Sequence, residues 1–206
     1  MAANGQFIER YFAEMETIIH AISRDDMDRA VELLLEAWRK GTTVFIMGNG
    51  GSASTATHFA CDLSKQTIVE GKRRFKVISL GDNIPLVSAW TNDGGFHTIF
   101  EEQLRPFLAE GDVVIAISVH GGAGSDKAGV WSQNIVRAIN LAKERGAVTI
   151  GLSGFDGGPL KELADVCVVV PFPSTPQVES FHLALEHLIC ACLREHIARE
   201  DAATGE

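Results

Sequence analysis

The sequence predicts an α/β protein, a three-layer doubly wound sandwich with a five-stranded parallel sheet and two leading helices. Two observations predict it. Five short, branched, nearly continuous apolar runs suit strands buried on both faces, the habit of parallel sheets: TVFIM (43–47), FKVISL (75–80), DVVIAIS (112–118), AVTIGL (147–152) and VCVVV (166–170). Helical patterns at about 52–64, 97–108, 131–145 and 176–198 separate and follow them, and strand–helix alternation builds that architecture.

The elements follow in chain order. Phe7, Ile8, Tyr11, Phe12, Met15, Ile18, Ile19 and Ile22 recur at three- and four-residue intervals and predict a first helix with one apolar stripe. A second helix starts near Asp25 and Asp26, whose carboxylates suit a helix N-terminus, and stops at Gly41 after Lys40. Together the two helices carry more apolar surface than one chain's core needs, a hint of oligomerisation. From residue 42 the rhythm turns to strand and helix. With no internal repeat and no linker rich in Pro, Gly or Ser, the 206 residues read as one domain. Residues 1–41 are a helical extension and 42–200 the α/β core.

Composition narrows the function. A 46% hydrophobic content supports a real core and excludes a disordered or low-complexity chain. No apolar run approaches the roughly 20 residues a membrane helix needs. The opening MAANGQFIERYF lacks the basic flank and apolar stretch of a signal peptide, so a cytoplasmic location is expected. A net charge of -9 argues against nucleic acid as the main partner. Lys72, Arg73 and Arg74 form the one basic cluster, read as a solvated turn. The cysteines at 61, 167, 190 and 192 form no CxxC pair, and buried thiols are expected over disulfides.

In a doubly wound sheet, ligands sit beyond the carboxyl ends of the strands. After the first strand comes Gly48-Asn49-Gly50-Gly51-Ser52, opening a helix. Its glycines and free N–H groups fit a phosphate, although a plain Gly-rich turn has the same composition, and neither dinucleotide nor triphosphate motifs match. After the third strand come Ser118-Val119-His120-Gly121-Gly122 and a polar stretch to Ser132-Gln133-Asn134. Two Ser/Gly turns at one sheet edge could hold one phosphate. With no conspicuous basic residue in either, a sugar monophosphate is favoured over a polyphosphate.

Chemistry is suggested by two helices. His58 and Asp62 are four apart on the helix leaving the Gly loop, and Glu179, His182, Glu186 and His187 share the last helix. Glu179 and His187 lie about 12 Å apart along its axis, on roughly the same side. Imidazole and carboxylate on two helices could act as general acid and base, or as N/O ligands for a divalent metal such as zinc; surface Glu/His pairs also look like this. His20 and His196 read as solvated residues, and His97 could border the pocket.

The segments MGNGGSASTATHFACDL, TNDGGFHTIF, GDVVIAIS with its Ser/Gly loop, GLSGFDGG and PQVESFHLALEHL resemble the sugar isomerase (SIS) domain family along almost the whole chain, closest to its phosphoheptose isomerases. The resemblance implies a flavodoxin-like homotetramer that binds a sugar phosphate between subunits and converts sedoheptulose 7-phosphate to D-glycero-D-manno-heptose 7-phosphate through an enediol. It places the acid–base pair on Asp62 and His187 and a zinc ion on His58, Asp62, Glu179 and His187. It places substrate contacts on Asn49, Gly50, Gly51, Ser52, Asn92, Asp93, Ser118, His120, Gly121 and Ser132.

Three positions depart from the family pattern. Asp62 stands for a glutamate one methylene longer, Glu179 stands for a glutamine, and Ser118-Val119-His120-Gly121 with an insertion at 122–131 replaces a compact Ser/Thr run. His120 could stand in for a phosphate-binding serine. The alternative is a non-catalytic SIS module that binds a protein partner, of the replication-initiator-associating type. Such relatives lack the acidic residue at the position of Asp62.

Overall fold

The computed structural model describes residues 3–122 and 132–200. Its sheet has five strands, all parallel, in the order β2-β1-β3-β4-β5. These are β1 (Thr43–Gly48), β2 (Lys76–Ser79), β3 (Val113–Ser118), β4 (Val148–Gly154) and β5 (Val166–Val170). The three inner strands are mostly apolar and almost entirely buried, as near-continuous runs should be, with Ser118, Thr149 and Ser153 as buried polar exceptions. β2 differs: it is a short edge strand whose side chains alternate between half-buried and exposed.

One layer holds α1 (Ala3–Ala21), α2 (Arg24–Lys40), α3 (Gly51–Lys65) and α8 (Thr175–Arg199). The other is built from α5 (Ile99–Leu104), α6 (Gln133–Glu144) and α7 (Gly158–Leu163). Each covers one face of the sheet with its own apolar cluster. Two helices escape the sequence pattern. α4 (Ile84–Asp93) buries no residue and so has no apolar stripe to read, although Asn83 caps it and Pro85 opens its first turn. α7 is too short to show a period. The stretch expected as helix from about 97 is a 3-10 turn at Phe96–Thr98 followed by α5.

The leading helices are secured in different ways. Ser23 caps α2 through the Asp26 amide, and Gly41 closes it in the left-handed region at φ 69°. The Arg73 guanidinium donates to the Arg39 carbonyl, and Lys72 donates to the Glu200 carbonyl. The basic cluster expected to be a solvated turn therefore ties the ends of α2 and α8 together. On α1, Phe7, Ile8, Phe12 and Ile19 are exposed. All four cysteines are free, as expected: Cys167 and Cys190 are buried, Cys192 half-buried and Cys61 exposed. No helix among the described residues is long and apolar enough to cross a membrane.

The strand order reverses between β1 and β3, so the loops after those two strands open side by side, where doubly wound sheets bind ligands.

Candidate functional site

α3 leaves the Gly loop after β1, and α8 closes the fold beside it. The two helices run in the same direction. Contacts recur between them at a sequence offset of 128 or 129 residues, with His187 against His58 and Arg194 donating to the Gln66 carbonyl at 3.1 Å. On α8, Val178, Phe181, Leu185, Ile189, Leu193 and Ile197 form the stripe that meets the core. His182 and Glu186 fall inside that stripe and are carried into the interior with it. On α3, Asp62 is likewise drawn in beside Phe59 and Leu63, while His58 stays at the rim.

Four side chains converge midway along this helix pair: His58, Asp62, Glu186 and His187, whose ligand atoms all lie within 4.8 Å of one another. The His58 and His187 Nε2 atoms are 3.3 Å apart. Asp62 Oδ2 is 3.7 Å from the first and 3.5 Å from the second. Glu186 Oε1 is 3.9 Å from the first and 3.3 Å from the second. The Gln66 amide donates to Asp62 Oδ2 at 2.6 Å and orients that carboxylate. Glu186 has no accessible surface, and neither of its oxygens has a hydrogen-bond partner. Burial, reinforced by the Asp62 charge, pushes its carboxyl up to about 8. Carboxylate and imidazole donors around one point, with a buried carboxylate lacking a partner, fit a divalent metal.

Asp62 and His187, which the family resemblance pairs, thus meet within a single chain. His58 joins them. Glu179 does not: its carboxylate lies against Gly51 at the start of α3, and a Cβ on that glycine would come within 2.3 Å of Glu179 Oε1. Glu186 occupies the place expected for Glu179. A signal for it was present, since Glu186 lies seven residues after Glu179 and nearly two full turns bring it to the same face.

The Gly loop bends at Gly50 (φ 57°, ψ -125°), and no side chain caps the start of α3. Ser52 is buried there. Asn49 and Asn134 exchange side-chain amide bonds of 3.0 and 2.9 Å, and the Asn49 amide also donates to Ser132 Oγ at 3.3 Å. These bonds lock the loop after β1 to the start of α6. Asn134, fully buried, and Gln66, exposed at the C-cap of α3, are site-building residues that the spacing of apolar side chains does not mark. Ser118 Oγ accepts from the Gly122 amide at 3.2 Å. His120 stacks on Phe155 with ring centroids 4.3 Å apart. Gly121 (φ 62°) passes so close to the turn at Gly157 that a Cβ would lie 1.8 Å from its carbonyl oxygen, so only glycine fits. Asn92 and Asp93 form the exposed end of α4, where the Asn92 amide donates to Asp93 Oδ1 at 2.7 Å. Most of the insertion, residues 123–131, lies outside the described residues.

His182, fully buried, bonds the Ser153 carbonyl through Nε2 at 3.0 Å and leaves Nδ1 without a partner. Burial lowers it to about 4, so it is a neutral anchor between α8 and β4.

Residues 10–154 match the SIS domain family. The lincomycin biosynthesis protein LmbN of Streptomyces lincolnensis is 44% identical over 173 residues, or 82% of this chain; the chain spans 62% of that protein's length. The phosphoheptose isomerase of Aliarcobacter butzleri is 32% identical, covering 93% of this chain and 97% of that protein. The structure of phosphoheptose isomerase GmhA from Neisseria gonorrhoeae superposes with a TM-score of 0.82 at 28% identity, over 94% of this chain and all of that one. With its sheet order, its paired loops and this similarity over nearly full length, the chain belongs to the phosphoheptose isomerase family of SIS-domain proteins.

Proposed function

We propose that this protein is an aldose–ketose isomerase for a phosphorylated sugar, converting sedoheptulose 7-phosphate to D-glycero-D-manno-heptose 7-phosphate. The observation that carries the reading is the 3.5 Å approach of Asp62 to His187. A protein-binding module of this family would have no use for that pair, so the non-catalytic alternative is not favoured. Two groups able to take and return a proton serve an enediol route, in which a proton leaves one carbon beside the carbonyl and returns to its neighbour. Histidine suits such traffic near neutral pH.

The phosphate is assigned to the loops after β1 and β3. Gly50, Gly51 and Ser52 offer uncapped amides and a hydroxyl at the start of α3, and Asn49, Ser118, His120, Gly121 and Ser132 complete the mouth. Asn92 and Asp93 are assigned to the sugar by family resemblance. Gly51 and His58 lie seven residues apart on α3, about 10 Å along its axis, a length suited to a heptose phosphate rather than a triose phosphate. A zinc ion is proposed on His58, Asp62 and His187; when bound it would polarise the sugar oxygens and stabilise enediolate charge. One SIS domain spanning 1–206, with 1–41 as its extension, and a cytoplasmic location complete the reading. The exposed Phe7, Ile8, Phe12 and Ile19 on α1 support a homotetramer.

The test is incubation with sedoheptulose 7-phosphate and zinc, followed by resolution of the sugar phosphates. The expected result is an aldose 7-phosphate. No turnover on any sugar phosphate, with a stable protein partner recovered instead, would overturn the assignment.

A further inference from the structure

We infer that Glu186, and not Glu179, completes the metal site in this protein, giving a ligand set of His58, Asp62, Glu186 and His187. The inference rests on the proposal that the site holds a metal, and goes beyond it by assigning the fourth donor to a residue outside the family's motif.

Three observations converge. First, Glu186 is a carboxylate with no exposed surface and no hydrogen bond to either oxygen. A buried carboxylate is tolerated only when a cation or a proton compensates it. The basic groups facing it are the two imidazoles, and with Nε2 atoms 3.3 Å apart both cannot be protonated without strong repulsion. A divalent cation neutralises Asp62 and Glu186 together and leaves both imidazoles neutral, the form in which they ligate.

Second, the spacing is that of a coordination shell. Ligands about 2.1 Å from a tetrahedral ion lie about 3.4 Å from one another. Five of the six donor separations, 3.3, 3.3, 3.5, 3.7 and 3.9 Å, bracket that edge length, and the sixth, between Asp62 and Glu186, lies within 4.8 Å.

Third, Glu179 is elsewhere. Its carboxylate lies against Gly51, seven residues before His58 on α3, and it is not among the four side chains whose donor atoms converge. Glu179 therefore faces the phosphate end of the groove, where its charge opposes an incoming anion.

The experiment is zinc binding to the full chain, followed by calorimetric titration with zinc chloride and by the visible spectrum of the cobalt(II) form. Wild type, Glu186→Gln and Glu179→Gln are compared, with thermal unfolding of each as the fold control. Wild type should take one zinc per chain. Glu186→Gln should lose at least the roughly 10–100-fold in affinity that follows loss of a metal site's supporting partner, and its cobalt spectrum should change in intensity. Glu179→Gln should stay within about threefold of wild type and keep the wild-type spectrum. Equal affinity in Glu186→Gln, or an equal loss in Glu179→Gln, overturns the assignment while leaving the metal site standing. A wild-type chain that takes no zinc or cobalt overturns the metal site and this inference together. Should Glu186→Gln fail to fold, Glu186→Asp supplies the second arm. It keeps the charge but withdraws the carboxylate by one methylene, and undiminished zinc affinity there also overturns the assignment.

Discussion

The two ends of the α3–α8 groove are built from different materials. At the start of α3 the groove is made of backbone: Gly50 and Gly51 bring amides to the surface, and side chains serve to hold loops together, as Asn49 and Asn134 do. Two turns further on it is made of side chains: two imidazoles and two carboxylates gathered from two helices. The first end needs smallness and a defined turn. The second needs burial, which makes the charges costly and therefore reactive toward a cation or a proton. A single pair of parallel helices supplies both, because the free N–H groups come only at a helix start and the lateral contacts only along its length.

That contrast can be broken in several ways. The largest effect is expected at the side-chain end. His187→Ala should lower kcat by about 10³-fold, the scale of losing a general acid or base, and leave the thermal midpoint near wild type because His187 is on the surface of α8. Retained turnover in a steady-state assay would separate His187 from the chemistry.

The anchor between the two ends should show itself through pH. His182 titrates near 6.5 when unfolded but at about 4 in the folded chain, so the unfolded state binds the extra proton in that window. Stability from this group is complete above about 6.5 and is lost as pH falls toward 4, by at most about 3 kcal/mol. Denaturant unfolding of wild type and His182→Gln across that range should show the slope in their difference. Parallel curves would mean that His182 is not held neutral.

The smallest effect is expected at the backbone end. Gly51→Ala places a Cβ against the mobile tip of Glu179, not against backbone, so stability should change by less than about 1 kcal/mol. KM for the sugar phosphate should rise, while zinc affinity stays unchanged. A loss of zinc in this variant would show that the ends are not independent.

The sequence made the sheet legible because its inner strands are buried on both faces and therefore almost continuously apolar. It was least legible where burial is weak: β2 at the edge, α4 with no buried residue, and α7 with too few residues to show a period. In the site, His58, Asp62 and His187 were readable from helical spacing and family resemblance. Glu186, proposed above as the fourth donor, was seen on the helix but not singled out, because a motif position named Glu179 and because neighbours in sequence point about 100° apart on an ideal helix. What the spacing could not convey is how deep each side chain lies. Glu186 is sealed inside while the adjacent His187 reaches the same point from the rim. His120 met its partner in Phe155, a contact between two loops that no local pattern encodes.

The constant offset between α3 and α8 makes the groove a ruler marked in residues. Removing one residue from either helix between the Gly loop and the histidines would rotate everything beyond it by about 100° and slide it by about 1.5 Å, dispersing the four donors. A descendant of this fold that adapts to a shorter or longer sugar cannot do so by trimming these helices one step at a time. It must work through the loops at the mouth, where length can vary without turning the machinery out of phase.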